Sequence, residues 1–273
     1  NPAGVVPLDE ECSDAEWMQV VAREFNHAET AFLWRLPQRD SEFEIHYRIR
    51  YFTPTIEVAL CGHATLAAAA ALYENGTDNH KDIVFHAERD TLKASRYALL
   101  DSNENKIALQ FPAMHVKEIV SDDDRRAAKS MLQSALNVAE ADLLFLGLSE
   151  GLGDLFVEMT TRGFHEIGYE SDIKVDDLLL WNGYSRGVIV CCVSESIDFC
   201  SRFFAPKAGI AEDPVTGSAH CALAPYFAEK LGKSMLVGKQ LSKRSGIVEC
   251  EVLRDNVRLT GTTATTISGS LWM

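Results

Sequence analysis

The sequence predicts a mixed α+β protein built from two similar domains, and three observations carry this. A motif recurs: Arg50-Tyr51-Phe52-Thr53-Pro54 is matched by Arg202-Phe203-Phe204-Ala205-Pro206. Further on, Gly62-His63-Ala64-Thr65-Leu66-Ala67-Ala68-Ala69 is matched by Gly217-Ser218-Ala219-His220-Cys221-Ala222-Leu223-Ala224, after loops that differ by three residues. The interval is far too long for a solenoid repeat, so it reads as two domains, each offering one loop and one helix N-terminus. Second, Phe43, Ile45, Tyr47, Ile49 and Tyr51 alternate with polar residues, the period of a half-buried strand in an antiparallel hairpin. Third, the alanine-rich segments carry little polar surface, as helices enclosed by other elements do.

The elements follow in order. Asn1-Pro2-Ala3-Gly4-Val5-Val6 reads as a turn entering a strand, with a short preceding strand expected to be missing. Ser13-Asp14-Ala15-Glu16 reads as a capping box with Ser13 at the N-cap, and Trp17, Val20, Val21 and Phe25 follow at helical spacing. That helix should stop near Asn26-His27. Phe32, Trp34 and Leu36 then alternate as a strand from Glu29, with a turn over 37–41. Gly62 opens a helix over 64–74, ended by Asn75-Gly76. Strands are expected over 82–86, 91–99, 106–111, 154–159 and 187–193, a helix over 122–136, and a short helix over 175–181. After the second alanine-rich helix, strands are expected within 240–260, around a turn at Asp255-Asn256, and a last strand over 262–272. The domains are then 1–113 and 114–263, with 264–273 pairing back onto the first.

Composition narrows the function. The 273 residues are 47% hydrophobic and 24% charged, enough to bury a core. No apolar stretch of about 18 residues suggests a membrane span. A net charge of −14 repels phosphate backbones and anionic membranes, so neither nucleic acid nor membrane is an expected partner. The Ser121-Asp122-Asp123-Asp124 run reads as a solvated helix start. Seven cysteines, an odd number with no framework spacing, point to reduced thiols and a cytoplasmic location. The sequon at Asn75-Gly76-Thr77 reads as chance.

The paired helix starts permit an anion site. The first N–H groups of a helix lack partners and its dipole adds partial positive charge. Gly62 and Gly217 would let a ligand approach the backbone, and His63 and Ser218 add side-chain donors. Each glycine alone could simply make a tight turn. Asp213 could be an ordinary cap or turn residue, and His220 a packed core histidine. Gly183-Tyr184-Ser185-Arg186-Gly187 fits a hydrolase elbow in letters only, because the expected helix precedes it and the strand follows it. Gly151-Leu152-Gly153 lacks the third glycine of a dinucleotide fingerprint, and no Walker loop is present. No His-Glu-x-x-His or Cys-x-x-Cys spacing suggests a metal. The chemistry is expected to need no cofactor and no metal.

Asn26-His27-Ala28-Glu29-Thr30, Leu60-Cys61-Gly62-His63-Ala64-Thr65 and the string Glu212 through His220 resemble the PhzF-like isomerases of phenazine biosynthesis, and the resemblance runs over nearly the whole chain. It implies the diaminopimelate epimerase fold: two pseudo-symmetric halves, each wrapping a barrel-like β-sheet around a central α-helix. It also implies an active site between the halves and a homodimer. In the best-known member of that family a glutamate moves a proton within trans-2,3-dihydro-3-hydroxyanthranilic acid. Carried over by motif, that glutamate is Glu29, and the substrate contacts are Gly62, His63, Asp213, Gly217 and Ser218. Taking a proton from carbon and returning it elsewhere needs one group that is base and then acid, a role a carboxylate in a dry cleft can fill. Asp213 and His63 would orient the substrate, a small cyclic or amino-acid-like carboxylate. Two other readings stay open. A two-base epimerase or racemase on this scaffold would use Cys61, but the matching position before Gly217 holds Thr216, a much weaker base. A binding protein could have kept the scaffold without turnover.

Overall fold

The period-two run before Tyr51 forms a strand, and the alanine-rich segments form the helices behind it. In the computed structural model, residues 1–77, 80–88, 90–97, 106–168 and 172–271 are described. The chain divides into two compact units, Asn1–Phe111 with Arg258–Met273, and Pro112–Val257.

The first unit contains β1 (Ala3–Leu8), α1 (Ala15–Phe25), β2 (Glu29–Arg35), β3 (Glu44–Phe52), β4 (Glu57–Val58), α2 (Gly62–Glu74), β5 (Asp82–His86), β6 (Thr91–Tyr97) and β7 (Lys106–Pro112). The strand β15 (Asn256–Thr262) returns beside β7. The order is β1-β2-β3-β5-β6-β7, with β1 parallel to β2, β2 antiparallel to β3, β3 parallel to β5, and antiparallel pairs after that. Helix α2 packs against β1, β2 and β6, so the sheet curls around it. Alanines 64, 68 and 69 are fully buried, because only a methyl fits where the helix is wrapped so closely. The alternation expected in β2 is absent: Thr30 through Trp34 are all buried. Helix α1 covers one face through a cluster of Met18, Val21, Phe32 and Trp34, while α2 lies against the same strand.

The second unit contains β8 (Val116–Glu118), α3 (Asp122–Leu136), β9 (Leu143–Ser149), β10 (Leu155–Met159), α4 (Thr161–Glu166), β11 (Val188–Val193), β12 (Phe199–Phe204), α5 (Gly217–Leu231), β13 (Met235–Gln240) and β14 (Gly246–Val252). From β10 onward it repeats the first unit: β10 is parallel to β11, β11 antiparallel to β12, β12 parallel to β13 and β13 antiparallel to β14. Helix α5 takes the place of α2, with Phe227 stacked on Phe199 of β12 at 4.7 Å and Tyr226 against Phe156 of β10. The acidic run is the first turn of α3, where negative charge suits the dipole, and Ser121 caps it by accepting from the Asp124 amide.

The repeated motif has a physical basis. In β3, Arg50 forks onto Glu57 at 2.7 and 2.8 Å and lies over the Phe52 ring. In β12, Arg202 forks onto Glu212 at 2.7 and 2.9 Å and lies over Phe204. The acidic partners stand at the same distance before Gly62 and Gly217, so the extra residues of the second loop fall between strand and glutamate.

Several expectations need correction. The first helix is capped by Asp14, whose carboxylate accepts from the Trp17 amide at 2.9 Å, and not by Ser13. The strand expected over 91–99 is described to Tyr97, and residues 98–99 lie outside the described residues. The expected last strand does not form over 263–271: Ile267 is exposed, the segment has no apolar alternation to bury, and Thr265 is held instead by Glu74 of α2. Residue 272 lies outside the described residues.

Candidate functional site

Asn26 closes α1 in the left-handed conformation, φ 50°, so that β2 starts at Glu29. Cys61 ends the preceding loop in extended conformation, and α2 starts at Gly62. These two chain reversals bring Glu29 and His63 together, with Glu29 Oε2 3.1 Å from His63 Nε2. The other ring nitrogen, Nδ1, lies 3.5 Å from Cys61 Sγ. Glu29 Oε2 and His63 Nε2 are shielded from solvent, and neither makes a well-aligned hydrogen bond among the described residues. The rest of each side chain is less enclosed, 22% and 23% of the whole being exposed. Behind them, the Thr65 hydroxyl donates to the Cys61 carbonyl at 2.7 Å and meets Tyr51 Oη at 2.5 Å. This fixes the first turn of α2.

Burial pushes the Cys61 thiol well above its ordinary range, and the Glu29 charge adds to this, while the Ala64 and His63 amides pull the other way. Cys61 is therefore held as a thiol, a donor rather than a nucleophile or base. Glu29, Cys61 and His63 offer three potential metal-ligand atoms within 4.8 Å of one another, a set that sequence spacing did not expose. The residue types suit a divalent transition ion. One ion cannot use both ring nitrogens, however, and here Nε2 faces Glu29 while Nδ1 faces Cys61. All three would ligate one ion only if the ring turned away from one partner.

In the second unit the loop before α5 is tied to Gln240, which is fully buried. Its Oε1 accepts from the Thr216 amide at 2.8 Å, and its Nε2 donates to the Asp213 carbonyl at 2.7 Å. The Thr216 hydroxyl donates to the Asp213 carboxylate, so Asp213, Gly217 and Ser218 are held in one short span. Ser218 Oγ accepts from Arg186 Nη1 at 3.0 Å. His220 is fully buried, with Nδ1 2.8 Å from the Thr216 carbonyl and its ring beside Phe199. Burial pushes it down to about 4, which keeps it neutral. Thus Glu29, Gly62 and His63 are assembled in the first unit, and Asp213, Gly217 and Ser218 in the second. Sequence reasoning missed Gln240 and Arg186. The Gly-x-Ser-x-Gly window drew attention to Ser185, whereas its arginine is the residue that reaches α5. A separate cavity of about 540 Å³ on the first unit surrounds the Arg50–Glu57 pair and does not include Glu29, Cys61 or His63.

Comparison with known proteins gives a consistent result. A family model described as phenazine biosynthesis-like protein (PhzC-PhzF) matches residues 1–269. An uncharacterized isomerase of Pseudomonas aeruginosa is 36% identical over 271 residues, covering 99% of this chain and 92% of its own. A human phenazine biosynthesis-like domain-containing protein is 32% identical over 283 residues, covering 99% of this chain and 93% of its own. The crystal structure of a PhzF-family protein from Enterococcus faecalis superposes with a TM-score of 0.80 at 30% identity, over 100% of this chain and 93% of the other.

Proposed function

Because this chain belongs to the phenazine biosynthesis-like (PhzC-PhzF) family, we propose that it is a cofactor-independent isomerase. In this reading it shifts a proton within a small cyclic or amino-acid-like carboxylate, with Glu29 as the general acid/base. The observation that carries the reading is the Glu29–His63 contact of 3.1 Å between two solvent-shielded atoms that are otherwise uncommitted. A carboxylate so placed can take a proton from substrate carbon, and the adjacent imidazole can receive or orient the hydrogen-bonding group of the substrate. The amides opening α2 would stabilise negative charge that builds on the substrate in the transition state. Asp213, Gly217 and Ser218 enter as substrate contacts on the strength of the sequence resemblance, and Gln240 supports them by holding their loop.

The two-base epimerase reading is weaker. Cys61 lies in the cluster, but burial and the Glu29 charge oppose its ionisation, and its counterpart is Thr216.

The test is solvent exchange. A panel of ring carboxylates and amino acids is incubated with the protein in heavy water, and deuterium at carbon is followed by mass spectrometry. Glu29→Gln should lower incorporation by about a hundredfold or more, the usual contribution of a general acid/base, while carboxylate binding stays close to wild type. Undiminished incorporation in the variant would end the Glu29 assignment.

A further inference from the structure

The internal repeat lets each half be read against the other, residue by residue. Strand pairing sets Thr30 against Phe52 and Phe32 against Arg50 in one unit, and Val188 against Phe204 and Val190 against Arg202 in the other. With Arg50-Tyr51-Phe52 matched to Arg202-Phe203-Phe204, Thr30 corresponds to Val188 and Glu29 to Gly187. The next pairing sets Gly4 against Thr30 and Leu155 against Val188, so Ala3 corresponds to Asp154. His63 corresponds to Ser218 by the helix motif.

At the position matching the proposed base, the second unit has no room for a side chain. A Cβ on Gly187 would stand 2.5 Å from Phe203 Cζ and 2.8 Å from the Phe204 carbonyl oxygen. The neighbouring residue, Arg186, supplies a side chain of opposite charge. Its Nε and Nη2 fork onto Asp154 at 2.9 and 2.5 Å, and its Nη1 donates to Ser218 Oγ at 3.0 Å. The first unit places Glu29 3.1 Å from His63; the second places Arg186 at nearly the same distance from the residue matching His63.

We propose that Arg186, with Ser218, is the carboxylate anchor of this protein and the residue that selects an anionic substrate. This rests on the isomerase reading above for what the anchored molecule then undergoes. Three features make the guanidinium a fixed donor. Asp154 is 1% exposed and also accepts the Gly187 amide, so its charge is bound to Arg186 and cannot readily let it go. The Phe203 ring lies 5.0 Å beneath the guanidinium carbon. The arginine side chain is still 32% exposed, so its outer part can be reached. Of its five N–H groups three are used, and one on each terminal nitrogen has no acceptor among the described residues. Because Ser218 Oγ accepts from Arg186, its own proton is free to point away. The cluster therefore presents N–H and O–H donors, the complement of a carboxylate. A guanidinium held in advance loses little freedom on binding.

The experiment is calorimetric titration with benzoate, a simple ring carboxylate, and with benzamide, its uncharged analogue. It measures binding alone, so its outcome is separate from that of the exchange experiment on Glu29→Gln. Arg186→Met would strand Asp154 in the interior, so the informative variant is Arg186→Gln/Asp154→Asn, which keeps a hydrogen-bonded pair and an acceptor for the Gly187 amide without charge. Circular dichroism and the urea midpoint establish that it folds. Wild-type protein should prefer benzoate to benzamide, and the double variant should lose benzoate affinity by tenfold or more with benzamide unchanged. Arg186→Lys should fall between them, because a lysine keeps the charge and loses the fork. A folded double variant that binds benzoate as wild type does overturns the anchor, as does a wild-type protein that binds the two probes equally.

Discussion

The ion pair that occurs in both units gives a stability experiment with its own internal control. In the second unit Arg202 and Glu212 are 8% and 3% exposed, and Arg202 also donates to the Gly168 carbonyl at 2.8 Å. In the first unit Arg50 and Glu57 are 18% and 35% exposed. The chemistry and bidentate geometry are the same; the second pair is more deeply buried and carries the added Gly168 contact. Removing one partner of a buried pair leaves an uncompensated charge and costs about 3–5 kcal/mol, whereas an ion pair open to water is worth roughly 0.2–1 kcal/mol. Arg202→Met should therefore destabilise by about 4 kcal/mol, and Arg50→Met by about 1 kcal/mol. With a urea slope of about 2 kcal/mol per molar, these become midpoint shifts of about 2 M and about 0.5 M. Arg202→Met/Glu212→Leu should recover most of the loss, because removing both charges also removes the desolvation they suffer. Equal shifts for the two arginine variants, or a double variant no better than Arg202→Met, would refute the argument from burial.

Three further outcomes are expected. Cys61→Ser should keep deuterium incorporation within a few-fold of wild type, since a thiol held protonated is not the base; loss of exchange in that variant alone would restore the two-base reading. His220 is held near 4 in the folded protein by burial, against about 6.5 when unfolded. The unfolded chain therefore takes up a proton first as pH falls. The stability His220 confers by staying neutral is complete above pH 6.5 and falls by about 3 kcal/mol as pH drops to 4. Urea midpoints from pH 7 to 4 should fall more steeply for wild type than for His220→Gln, and parallel curves would contradict this. Gly187→Ala should cost about 1–3 kcal/mol by overpacking against Phe203 and the Phe204 carbonyl, read from the urea midpoint.

Local signals sufficed where one face of an element was dry and the other wet, as in β3, or where alanine spacing marked a wrapped helix, as in α2 and α5. They failed where burial was two-sided. Thr30 to Trp34 give no alternation because helices cover the strand, and β9, an apolar run with Gly147 in it, offered no period to read. The family motifs pointed to Glu29, His63, Asp213 and Ser218, but not to what surrounds them. Asp154 and Arg186 meet only because β10 and β11 pair in parallel, and Gln240 reaches Thr216 from the end of β13. Such contacts depend on register, which no short window contains. The Glu57 and Glu212 match was obscured by the unequal loops, although both lie at one distance before the glycine.

The two helix starts show which features the fold requires and which it leaves free. In both, the side chain three residues after the glycine bonds back to the carbonyl just before it: Thr65 Oγ1 to Cys61 at 2.7 Å, and His220 Nδ1 to Thr216 at 2.8 Å. A hydroxyl and an imidazole perform one structural task, so a histidine in that place needs no catalytic explanation, and its neutral, fully buried state suits the clamp. Among the positions where the halves differ in charge are the strand start and the residue after the glycine, where Glu29 and His63 stand in one unit and Gly187 and Ser218, with Arg186 beside them, in the other. Chemistry that used the same group twice would keep those positions alike. A carboxylate in one unit whose matching position is a glycine in the other, with a guanidinium one residue before it, fits the proposed single base and a separate means of holding an anion.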